Sequence, residues 1–243
     1  GLKNIIRKIN LYKNKIYAKK ICDFSGFGVW SVHGKFIRKN LCEDFVNCGQ
    51  HYFFKFIPKK EFWIDVETVP GEEHFYIEYL LVENRLMAHG ICYKKAFERA
   101  WRAEKRERSR SAVVRRLKKI RKNKKELIKK VHKKLLKCYS KKIKVWVVRG
   151  ELVRDFFDIN FAGGSHYKVD FFIPEDEVWI DDDISQKERR FILLHELHER
   201  RLMAIKNLNY LPAHKLATKK EDFYRHNPKN LKKALEEEIK KQL

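Results

Sequence analysis

Residues 177–204 read EVWIDDDISQKERRFILLHELHERRLMA, and residues 61–88 read EFWIDVETVPGEEHFYIEYLLVENRLMA. The second of these lies 116 residues before the first (177 − 61), and the match extends without a gap over 29–88 and 145–204. Across that span 21 of 60 positions are identical, among them Trp63/Trp179, Asp65/Asp181 and the shared run Arg-Leu-Met-Ala. Such density marks an internal duplication. Each copy is then a control for the other. What both keep belongs to the scaffold, and what one alone carries points to function.

Both halves predict the same order of elements. Leu2, Ile5, Ile6, Ile9, Tyr12 and Ile16 recur at helical spacing, as do Leu117, Ile120, Leu127, Ile128, Val131 and Leu135, so an amphipathic helix opens each copy. Strand signals follow in the β-branched and aromatic runs 145–148, 166–173 and 178–180, with Gly163-Gly164 and Pro174 as turns. Ser185 and Glu188 spell a capping box, and Pro70 fits a first helical position. Helices are expected over 75–88 and 191–204, with breaks near Gly90 and Asn207. A further helix then starts around Pro212, where the offset grows to 117 (Tyr93/Tyr210, Ala96/Ala213). The expected fold class is α+β: two tandem copies of a helix, small sheet, helix, helix unit, forming a monomeric pseudo-dimer. Residues 1–105 would be a degenerate copy and 145–243 the copy with a site. Residues 106–144 would be a basic helical connector that doubles in part as the second opening helix.

The chain has 243 residues, 56 Lys+Arg and 32 Asp+Glu, for a net charge of +24. Residues 101–142 hold 20 Lys/Arg and 3 Glu, so they carry +17 of it. Val113, Leu117, Ile120, Leu127, Val131 and Leu135 keep helical spacing there, which predicts one or two basic amphipathic helices. If 36 residues were continuous helix they would span about 54 Å. Nucleic acid, an anionic membrane surface or an acidic protein could meet such a face. For nucleic acid the contacts would fall on Arg115, Arg116, Lys118, Lys119, Arg121, Lys122 and Lys125. The competing reading is a solvated face on a thermophile protein, since Lys, Glu and Ile abound and Gln is scarce. No apolar run approaches the ~18 residues of a transmembrane helix. Five scattered cysteines suit a reducing compartment, and a cytoplasmic location is expected. Cys42, Cys48 and His51 match the spacing of no closed zinc site.

His195-Glu196-Leu197-His198-Glu199 falls within the predicted helix 191–204. Residues three and four apart share a helix face, so His195, His198 and Glu199 can converge. His214 lies 15 residues beyond Glu199 (214 − 199), on the next helix. Imidazole and carboxylate are zinc ligands, and Zn²⁺ is the expected cofactor. Glu196 projects beside the ligand row, where it can act on a metal-bound water. Copy one has Tyr79, Leu80, Val82 and Phe97 at the positions of His195, Glu196, His198 and His214. Buried imidazoles without partners cost about 1–3 kcal/mol each, and a metal removes that cost. Glu199 is ambiguous because copy one keeps Glu83, which can simply pair with its neighbouring Arg. Two ligand sets stay open: His195, Glu199 and His214, or His195, His198 and His214. Asp181, Asp182 and Asp183 form an acidic cluster just before the helix, with Asp181 shared as Asp65.

At these residues the chain resembles the zincin metallopeptidases, whose active helix carries H-E-x-x-H. Glu199 stands where that family has its second His. The segment from Asp181 to His214 is also similar to small domains found in phages, prophages and archaea. The zincin resemblance implies metal ligands at His195 and the fifth motif position, Glu196 as general base, and zinc-dependent hydrolysis of a peptide-like substrate. The alternative is a non-enzymatic nucleic-acid-binding protein that uses the basic connector, with a structural metal or none.

Overall fold

The computed structural model describes residues 9, 11–68, 71–111, 114 and 123–242. The chain divides into two compact units, residues 1–119 and 120–243. Both are mixed α and β, as expected.

In the first unit a short helix α1 (Lys13–Ile16) leads into β1 (Tyr17–Phe24), β2 (Phe27–Val32), α2 (Gly34–Asn40), β3 (Cys48–Gln50) and β4 (Glu61–Asp65). Helices α3 (Glu73–Ala88) and α4 (Tyr93–Ser109) follow. The sheet order is β1-β2-β4-β3, with β2 and β4 parallel and both outer pairs antiparallel. Strand alternation sends successive side chains to opposite faces. Val29, Phe62 and Ile64 pack with Tyr76 and Leu80 of α3, while Val32 and Trp63 pack with Ile16, Ile37, Phe45 and Phe56 on the other face.

The second unit repeats this with α5 (Lys124–Val131), β5 (His132–Leu135), β6 (Lys144–Val148), α6 (Gly150–Phe156), β7 (Gly164–His166) and β8 (Glu177–Asp181). Then come α7 (Arg189–Ala204), α8 (Tyr210–His226), a 3₁₀ turn (Pro228–Asn230) and α9 (Leu231–Lys240). The register of the pairings on β4 and β8 repeats residue for residue, while β5 pairs with β6 one residue out of step with β1 on β2. Trp30 faces Trp63 and Trp146 faces Trp179, Cys48 faces Ile64 and Gly164 faces Ile180. Buried ion pairs repeat as well. Arg38 bonds Asp65 and Glu67, and Arg154 bonds Asp181 and Asp183. Arg108 bonds Glu72 and Glu104, and Arg225 bonds Glu188 and Glu221.

Several expectations are corrected. Leu135, read as helical, lies on strand β5, because the chain leaves α5 at Val131 and pairs with β6. The basic junction is therefore no single long helix: α4 ends at Ser109, and the strand begins at His132. The strand expected over 166–173 stops at His166, after which the backbone turns, with Val169 and Asp170 N–H donating to the His166 carbonyl. Helix α7 starts at Arg189, later than the Ser185 box implies, and Glu188 is bound to Arg225. Helices α2 and α6 were not expected at all. The breaks fall as expected, at Gly90 and Asn207, both with positive φ. Ile91 N–H closes onto Leu86 O, whereas Leu208 N–H closes onto Leu202 O. The extra residue of copy two is absorbed in that wider closure. Leu2, Ile5, Ile6, Pro70, Val113, Leu117 and Ile120 lie outside the described residues. So do Arg115, Arg116, Lys118, Lys119, Arg121 and Lys122, while Lys125 is an exposed residue of α5.

Candidate metal centre

Glu199 is the hub of a buried cluster on α7. In copy one its counterpart Glu83 is held by two neutral donors, Gln50 Nε2 at 2.7 Å and the Tyr79 hydroxyl at 2.7 Å. In copy two both donors are replaced by histidine. His166 stands for Gln50 and His195 for Tyr79. Phe97, which stacks edge-on with Tyr79, gives way to His214. The scaffold that satisfies one carboxylate in copy one thus surrounds it with three imidazoles in copy two.

The geometry suits a small cation. His214 Nδ1 lies 2.8 Å from Glu199 Oε2, His195 Nε2 lies 3.1 Å from His214 Nδ1, and His195 Nε2 lies 3.5 Å from Glu199 Oε2. Ligands at about 2.0–2.2 Å from a tetrahedral zinc stand roughly 3.3–3.6 Å apart, so the longest edge already fits and the shortest needs to open by roughly half an ångström or a little more. His195 and Glu199 are buried, and His214 is partly exposed. On the other side of Glu199, the fully buried His166 brings Nε2 to 3.2 Å of Oε1. That approach is off the hydrogen-bond axis, so neither ring nitrogen of His166 has an aligned partner. The ligand atoms of His166, Glu196 and Glu199 form a second cluster within 4.8 Å of one another.

Electrostatics follow from this crowding. Burial opposes charge on His195, but Glu199 and Glu221 outweigh it and push its pKa up to about 10. Burial would raise the Glu199 pKa, yet the three imidazoles of His166, His195 and His214 around it hold it well below the usual carboxylate range. Burial pushes His166 down, so this imidazole is neutral. Glu196 is driven well upward by burial, and by the negative charges of Glu199, Glu221 and Asp170, against the opposing pull of His195. Without a cation, Glu196 is therefore held protonated.

The sequence reading missed two residues. His166 sits on a three-residue strand 29 positions before His195 (195 − 166), and the Gln50/His166 difference at offset 116 was the available signal. Glu221 accepts from His195 Nδ1 at 3.0 Å and is itself fixed by Arg225. A carboxylate on the far nitrogen fixes the tautomer and aims Nε2 at a metal. Glu221 was invisible as a site residue because copy one carries the same acid as Glu104.

Of the predicted residues, the structure brings together His195, Glu196, Glu199 and His214. It does not bring in His198, whose Nδ1 lies 2.9 Å from the buried Glu238 on α9, within a network that includes Arg201 and Lys220. Glu199 does not pair with Arg201, which is spent on Glu238. Asp181 and Asp183 are tied to Arg154, and Asp182 to Lys133. Cys42, Cys48 and His51 belong to no such cluster among the described residues. No helix among the described residues is long and apolar enough to cross a membrane. No family model, curated protein or solved structure matches the chain.

Proposed function

We propose that the C-terminal copy binds Zn²⁺ through His195, Glu199 and His214 and acts as a zincin-like hydrolase on a peptide-like substrate. The observation that carries this reading is the triangle of Nε2, Oε2 and Nδ1 with edges of 2.8, 3.1 and 3.5 Å. Every polar member of it except Glu199 is Tyr or Phe in copy one. Three protein ligands leave a fourth position open, the pattern of catalytic rather than closed structural zinc sites. When bound, the ion would polarise a carbonyl and acidify water. Glu221 orients His195, and His166 faces the far oxygen of Glu199. Glu196, one residue along the helix, is the carboxylate placed to take a proton once a nearby cation lowers its pKa.

Elemental analysis of purified protein tests the binding. One zinc per chain is expected, lost in His195→Tyr with His214→Phe, the residues that copy one carries. A metal-free wild type after zinc loading, or unchanged content in the double variant, would overturn it. For the reaction, Glu196→Gln should retain zinc and lose at least about 10²-fold in hydrolysis of a peptide library.

The charge supports a second reading, nucleic-acid binding by the basic junction, with its net +17 over 101–142. Binding to duplex DNA that weakens steeply with salt would support it.

A further inference from the structure

A groove in the second unit runs between the end of β5, with the turn after it, and the start of α7. It has a volume of about 500 Å³. Four cations line it: Lys134, Lys137, Arg189 and Arg190. Leu136 and Tyr139 supply an apolar wall, and no Asp or Glu is among the lining residues. Arg189 donates from Nη2 to the Asp182 carbonyl at 3.1 Å, while its buried Nε–H finds no partner among the described residues.

In a chain of charge +24 a basic surface alone means little, and here the duplication supplies the control. The first unit has a groove of about 570 Å³ that overlaps this position in part, lined by Lys19, Lys20 and Ile21 of β1 and by Glu73 and His74 of α3, and extending further along the sheet to Ser31 and Asp65. At offset 116, Glu73 and His74 correspond to Arg189 and Arg190. Asp65 also lines the first groove, and Lys20 is neutralised by Asp23 at 2.7 Å. Both units carry a groove between the edge strand and this helix, and the second has two arginines where the first has Glu73 and His74. A cleft of this size with an aromatic wall matches a small ligand rather than a flat macromolecular surface. Guanidinium groups match phosphate oxygens.

We propose that this groove binds a phosphate group, either free or carried on a nucleotide. The proposal does not depend on the metal site. Titration followed by amide chemical shifts would use inorganic phosphate, adenosine monophosphate and adenosine as probes. Saturable shifts at 134–139 and 186–190 are expected with both phosphates and not with adenosine. Tighter binding of the nucleotide would identify it as the source, and equal binding would identify the free anion. Lys137→Ala with Arg190→Ala, at exposed positions, should weaken binding at least tenfold. Lys232→Ala with Lys233→Ala, which removes the same charge from α9, should change it less than twofold. Equal loss in both variants, non-saturable shifts, or equal binding of adenosine would overturn the proposal.

Discussion

At the scale of single residues, the cluster is a set of substitutions around a carboxylate that the fold already needed. Glu83 shows one solution, an acid between an amide and a phenol. Glu199 shows the same pocket with imidazoles for neighbours. This has a measurable consequence for protons. His195 has a pKa of about 10 because Glu199 and Glu221 flank it, so a metal must displace a proton to reach Nε2. Zinc affinity should therefore rise about tenfold per pH unit between pH 6 and 8, measured by chelator competition; a flat profile would contradict the assignment. Glu196 gives the opposite sign. Its folded-state pKa is raised, so the folded apo protein favours the protonated form, and stability falls as pH rises above the unfolded value near ~4.3. Glu196→Leu, the residue of copy one, should stabilise the metal-free protein by about 1–3 kcal/mol at pH 8, and by less at pH 5, in thermal melts. His195, Glu199 and His214 were legible because helix spacing and the next-helix position suffice to join them. His166 was not, since a residue on a short strand is placed by the tertiary register alone.

At the scale of elements, α7 is the spine of the second unit. One face carries Leu193, Leu194 and Leu197 into the core, and another carries the cluster. Its contact with α9 is polar at Glu238, where His198, Arg201 and Lys220 converge. Burial would raise the Glu238 pKa, but those three partners hold it well below the ordinary range. The group therefore adds stability above the unfolded pKa near ~4.3, and that contribution is lost as pH falls below it. Glu238→Gln should lower the melting temperature at pH 7, with the gap to wild type closing toward pH 3. At the sheet, Gly150 begins α6 against Asp181, and a Cβ there would overlap that carboxylate. Gly150→Ala should cost about 3–5 kcal/mol by prising the Asp181–Arg154 pair apart, read from denaturant unfolding. Long amphipathic helices and apolar central strands were readable from periodicity. Helices α2 and α6 escaped because seven residues give too few turns to show a period. Strand β1 escaped because its exposed edge reads Lys19-Lys20, more like a solvated helix end than a sheet.

At the scale of the whole molecule, two units share strand order, the register of their parallel strands and a matched set of four buried arginines paired with carboxylates, Arg38 matching Arg154 and Arg108 matching Arg225. Among their differences, one set surrounds Glu199 and another lies at the start of α7. The first unit is therefore a template for removing the His cluster without changing the fold. A chain carrying Gln, Tyr, Leu and Phe at positions 166, 195, 196 and 214 should fold with the wild-type circular dichroism and bind no zinc. The most direct test of the account is zinc K-edge absorption on the zinc-loaded wild-type chain. The prediction is a first shell of two imidazole nitrogens and one carboxylate oxygen at about 2.0–2.2 Å, completed by a water, with the imidazole signature lost in His195→Tyr. A shell containing cysteine sulfur, or one unchanged by that substitution, would contradict it.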